Sequence, residues 1–84
     1  MKIHQLKLNW EFCDAVLSGE KSFEIRFNDR GFQKGDFIEF MACCNGYKEE
    51  HNINNERFEI TYVLNGYGLK EDYVVLAIKK VNKE

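Results

Sequence analysis

The cleanest pattern in the chain runs from Ser22 to Phe27. Phe23, Ile25 and Phe27 share one parity, and Ser22, Glu24 and Arg26 share the other. Period two predicts a strand, with the apolar set on the core face and the polar set turned away from it. A second alternation places Phe58, Ile60, Tyr62 and Leu64 opposite Arg57, Glu59, Thr61 and Asn65, again a half-buried strand. Lys2 to Leu8 reads as a first strand with Ile3, Leu6 and Leu8 apolar. Phe37 to Cys43 carries apolar residues on both faces, and Tyr73 to Ile78 is apolar throughout, as a central strand requires. Lys79 onward is expected to be a charged, frayed tail.

One segment changes period. Trp10, Cys13 and Leu17 recur at helical spacing, with Phe12 and Val16 beside them. Asn9 is placed to cap the start, Glu11 complements the dipole, and Gly19 suits a left-handed C-cap. Trp10 and Cys13 are read as core. Asn28 to Gly31, Gln33 to Asp36 and Asn65 to Gly68 are turn chemistry, and Asn45 to Asn55 is a polar loop or hairpin tip. One helix and about five strands predict an α+β domain spanning residues 1–84. The sheet is expected to be small and curled or a barrel, with the helix covering one end.

Composition narrows the class. The chain has 84 residues, 44% hydrophobic and 14% aromatic, enough for a core and too short for two. No apolar run reaches the ~18 residues of a membrane span, and no charged start precedes an apolar stretch, so neither a membrane protein nor a signal peptide is expected. Three cysteines, two of them adjacent, make no disulfide framework and no metal-ligand spacing. Reduced thiols, a cytoplasmic location and no metal or cofactor are the expectation. The net charge of −2 excludes binding of nucleic acid through a broad basic surface and leaves only a local site.

Gly19 to Arg26 fits G-x-K-x-x-E-x-R, running from a helix end into a strand. This resembles the signature of ASCH domains, small β-barrels of the PUA-like superfamily. Ile3 to Lys7, Asn28-Asp29-Arg30, Phe32 to Asp36, Gly68 to Lys70 and Tyr73 to Leu76 extend the likeness to one bacterial and phage branch, known only as a domain of unknown function. The resemblance implies a PUA-like barrel with a cleft beside the motif strand, and binding of RNA or a nucleotide-like ligand. A related branch is an amidohydrolase that deacetylates N4-acetylcytidine with a Lys, a Thr and a Glu. Its Lys matches Lys21, its Thr falls on Glu24, and Glu71 or Asp72 stands near its Glu.

The residues themselves support either chemistry. Lys21 is a solvated surface lysine or an ammonium at the cleft mouth, able to anchor a phosphate or act as a base. Glu24 and Arg26 lie ~6.6 Å apart on one strand face. They form a structural pair, or an acceptor and a planar donor fork for a ligand. Arg30 adds a cation after the turn, and His4 is a further polar candidate on the first strand. The ligand-binding set is therefore Lys21, Glu24, Arg26, Arg30 and His4. If the chain is an enzyme, Lys21 and Glu24 are the catalytic pair. Binding of RNA or a nucleotide ranks first and the amidohydrolase second.

Overall fold

The structure, a computed structural model, describes residues 1–83. Glu84, the end of the expected charged tail, lies outside them. The elements are β1 (Ile3–Asn9), α1 (Trp10–Ser18), β2 (Phe23–Phe27), β3 (Phe37–Cys44), β4 (Tyr47–Lys48), a 3-10 helix (Asn52–Asn55), β5 (Arg57–Asn65) and β6 (Tyr73–Val81). The sheet has six strands in the order β1-β3-β5-β6-β2, with β4 paired to the end of β3. Among the described residues, only β1 and β3 run parallel.

The expected closed barrel is corrected. β1 and β2 stand at opposite ends of the strand order and share no ladder. The sheet nevertheless curls until its ends nearly meet, because the Arg26 guanidinium (Nη2) donates to the Lys7 carbonyl at 2.7 Å and Arg30 Nη1 to the Gln5 carbonyl at 2.9 Å. Two arginines thus serve alternate carbonyls along the free edge of β1, doing with side chains what a ladder would do with backbone.

The core lies on the concave face. Leu6, Leu8, Ile38, Phe40, Ile60, Leu76 and Ile78 pack there with Cys13 and Val16 of the helix. α1 begins at Trp10, where Asn9 occupies the cap position without a side-chain cap bond. It ends at Gly19, whose φ of 88° is the left-handed conformation that only glycine adopts freely.

Five expectations fail for identifiable reasons. Phe23, Ile25 and Phe27 are 42%, 54% and 51% exposed, whereas Glu24 is 4% exposed. The motif strand therefore shows its apolar parity to solvent and its polar parity to the interior. In β5 a register irregularity between Ile60 and Tyr62 inserts one residue. Phe58 and Ile60 accordingly face the core, while Tyr62 beyond the bulge turns outward and is 60% exposed. Trp10 is half-exposed and meets His51 edge-on, centroids 5.2 Å apart, because it opens the helix at the rim of the core. Residues 45–55 are not a bare loop. β4 and the 3-10 helix lie inside it, fully buried Ile53 anchors it, and Asn54 Oδ1 accepts from the Ala42 amide at 2.8 Å. The predicted tail continues β6 to Val81, paired with Arg57.

The convex face divides in two. One half carries ions: Glu39 takes two N–H bonds from Arg57 at 3.0 and 2.8 Å and one from Gln5 at 3.1 Å. Those Arg57 bonds, against the opposing effect of burial, hold the Glu39 carboxyl below its usual range. The other half is apolar. Direct cross-strand partners share a face, so Phe23 lies beside Ala77 and Tyr62, Ile25 beside Val75 and Leu64, and Phe27 beside Tyr73.

Candidate functional site

The C-cap at Gly19 turns the chain back, and the Lys21 amide donates to the Ala15 carbonyl at 2.9 Å. Lys21 is thereby fixed between the helix end and β2. Its ammonium donates to Glu24 Oε2 at 2.7 Å and to the Phe23 carbonyl at 2.8 Å. It also lies 5.1 and 4.8 Å from the ring centroids of Phe12 and Phe23, within cation–π range of both. Arg26 approaches the same carboxylate from the other side. Its Nε and Nη2 donate to Oε1 at 3.0 and 2.9 Å. Glu24 is thus a buried carboxylate with a cation on each oxygen.

These three side chains line a cleft of about 400 Å³ between β1, β2 and the helix, with Leu8, Phe12 and Phe23 among its apolar walls. Its donors are only partly used. An ammonium has three N–H groups and a guanidinium five. Lys21 keeps one and Arg26 keeps both on Nη1, while the sum of the three side-chain charges is about +1.

The backbone of β2 adds to the cleft. The Ser22 carbonyl accepts from Ile78, and the Asn28 amide donates to Asp72. Even-numbered residues of β2 thus bond to β6, and the N–H and C=O of Ile25 turn toward the gap, as antiparallel alternation requires.

The other candidates are elsewhere. Arg30 braces the β1 edge and pairs loosely with Asp29 at 3.8 Å, outside the cleft lining. Glu71 and Asp72 lie between β5 and β6 and do not line it. His4 is buried against Phe32, and its Nε2 donates to Asp36 Oδ2 at 2.9 Å. Asp36 also accepts the amides of Gln33 and Lys2 at 3.1 and 3.2 Å. This buried cluster ties the start of β1 to the turn before β3. Burial raises the Asp36 carboxyl, but the His4 bond and the two amides outweigh it and hold the carboxyl below its ordinary value.

A pH dependence follows from the depressed Asp36 value. Its stabilisation is complete above the unfolded pKa and is lost as pH falls through the folded one. Urea unfolding of the wild type is expected to weaken progressively below about pH 4. Asp36→Asn should cost about 1–3 kcal/mol at pH 7 and flatten that acid limb. An unchanged limb in the variant would remove Asp36 from the account.

Cys13 is fully buried, and its thiol is pushed up by burial, with Asp14, Cys43 and Glu24 adding to it. A thiol held neutral is no nucleophile. Neither Cys13 nor any hydroxyl side chain lines the cleft. Among the described residues, no three His, Cys, Asp or Glu side chains group to hold a metal, and no helix is long and apolar enough to cross a membrane.

Sequence reasoning found Lys21, Glu24 and Arg26 but missed Phe12 and the two edge backbones. Phe12 reads as one more apolar residue on the helix, and a carbonyl carries no signal in a sequence.

The model of a family described as "Domain of unknown function (DUF3850)" matches residues 3–78. An uncharacterized 12.9 kDa protein in the GpA 3' region of Escherichia phage P2 is 31% identical over 75 residues. That match covers 89% of this chain and 66% of the phage protein, so the chain spans just under two thirds of the curated relative's length. The crystal structure of the hypothetical protein PH0355 superposes with a TM-score of 0.60, covering 96% of this chain and all of that one. At 17% identity that likeness shows the fold alone.

Proposed function

The chain belongs to the DUF3850 family, and on that premise we propose that it is an ASCH-type, PUA-like module that binds RNA or a nucleotide-like ligand in the Lys21–Glu24–Arg26 cleft. One observation carries the reading. A buried carboxylate holds two cations in fixed positions at a cleft wall, and both keep N–H groups unspent. Such a site favours an anionic, acceptor-rich ligand. Lys7, Lys21 and Arg26 against the single carboxylate of Glu24 leave the lining net positive, which suits the phosphodiester charge of a nucleic acid. The Ile25 edge offers an adjacent donor and acceptor for a base, and Phe12 and Phe23 give it apolar walls. Arg30, at the rim, can add a distant phosphate contact, while His4 belongs to the buried cluster with Asp36. The amidohydrolase reading is less favoured because the cleft lining lacks a hydroxyl or thiol nucleophile, and Glu24 already bonds both cations.

Titration with a single-stranded RNA decamer, at low and at moderate salt, tests the proposal. Contact with one or two phosphates predicts a log–log salt slope of about −1. Lys21→Ala and Arg26→Ala should each weaken binding about tenfold. No binding at millimolar RNA, or binding indifferent to both substitutions, removes the reading. Release of cytidine from N4-acetylcytidine would transfer the site to the amidohydrolase.

A further inference from the structure

Phe23 and Ile25 border the cleft, and from them an apolar face extends away from it across β6 to β5. Phe23, Ile25 and Phe27 of β2 and Tyr62 of β5 stand 42–60% exposed there. Between them the register sets Tyr73 and Val75 of β6. An aromatic side chain presents ~200 Å². The four exposed residues then offer roughly 400 Å², already within the range of the largest patch on a typical monomer.

We propose that this face is the contact surface of a homodimer, a second copy of the chain packing β2–β6 against β6–β2. Charge and area select that occupant. The three strands meet here through Phe23, Ile25, Phe27, Tyr73, Val75 and Tyr62, none of them charged, in a chain that is 31% charged. The cations at the border of this face are balanced, Lys21 by Glu24 and Lys79 by Glu59 directly across the ladder, so a nucleic acid would find rings to stack on but little unbalanced positive charge for its phosphates, and binding surfaces for single strands need both. A second copy meets an uncharged surface with an uncharged surface. Two such patches bury about 800 Å², and with the half-buried neighbours about 1,000–1,200 Å², the low end of specific interfaces. The dimer is therefore weak, with a dissociation constant of about 10–100 µM. Edge-to-edge pairing through β2 is blocked, since Lys21 occupies the Phe23 carbonyl and Arg26 crosses to β1. Face packing leaves that seam free.

Sedimentation equilibrium of the full chain, from about 1 µM to 1 mM, is the test. The mean mass is expected to rise from the monomer toward twice its value. Ile25→Glu and Ile25→Lys, of opposite charge and both at a solvent-exposed position, should each weaken association at least about tenfold. Circular dichroism verifies that both fold. Tyr67→Glu, 92% exposed and off this face in the β5–β6 turn, should associate like the wild type. A chain that stays monomeric throughout, or a dimer that survives both Ile25 variants, overturns the proposal. So does loss of single-stranded RNA binding in Tyr62→Glu, a position on this face and outside the cleft lining, with self-association intact, which would assign the face to nucleic acid.

Discussion

Leu76→Ala is expected to remove about 3–5 kcal/mol of stability and to lower the melting temperature by about 15–30 °C. Leu76 is fully buried in the middle of β6. Its cross-strand partners are Glu24 on β2 and Val63 on β5, so ladders on both sides hold the backbone around it. A site held that way collapses poorly, and the cavity stays open. A chain of this size has about 4–12 kcal/mol in total. The substitution therefore removes a large share and leaves a measurable unfolded population at physiological temperature. Urea unfolding and a thermal melt read it directly. A loss below about 1 kcal/mol would mean that the concave side of β6 is not the centre of the core.

Glu24→Ala is the second large effect, and it acts on two properties at once. Glu24 is buried, but the side chains of Lys21 and Arg26 are 20% and 23% exposed. Breaking a fully buried pair costs about 3–5 kcal/mol. Water reaching both cations reduces that here to roughly 2–3 kcal/mol. Glu24→Gln keeps the shape and one acceptor and should cost about half as much. Ligand binding should fall in both variants, because Lys21 and Arg26 lose the group that positions them. The discriminating comparison is Glu24→Gln against wild type, below the melting transition of each. Full binding by a folded Glu24→Gln protein would reduce the carboxylate to a structural brace and place recognition on the cations alone.

Glu24 also marks the limit of what the sequence could tell. The motif residues were visible from their types and spacing, and the strand was visible from its period. Its orientation was not. A period of two is symmetric, and choosing the phenylalanines for the core is right only where the core side is apolar. β2 ends the sheet. Its inward Arg26 reaches the free Lys7 carbonyl of β1, which needs a donor, and inward Glu24 holds that guanidinium in place. The polar parity therefore turns in. The bulge in β5 hides for a related reason. One inserted residue reverses the faces of everything after it, and the apolar series Phe58, Ile60, Tyr62 and Leu64 runs straight across it, with Val63 at the opposite parity as the one sign of the switch. Ile53 shows a third limit, since one isoleucine in eleven polar or small residues gives no period, yet it is fully buried and pins the segment. The helix, by contrast, was legible to within one residue, because Gly19 punctuates it and its apolar spacing has a single reading.

The arginine seam has a consequence for how this fold can vary. A backbone ladder is indifferent to sequence, since every residue but proline brings the same N–H and C=O. A gap bridged by Arg26 and Arg30 is bridged by two codons. Single nucleotide changes can therefore unlatch the trough or draw it tighter without touching a core residue. Across descendants of such a chain, the width of the cleft becomes a heritable dimension that selection can adjust independently of folding.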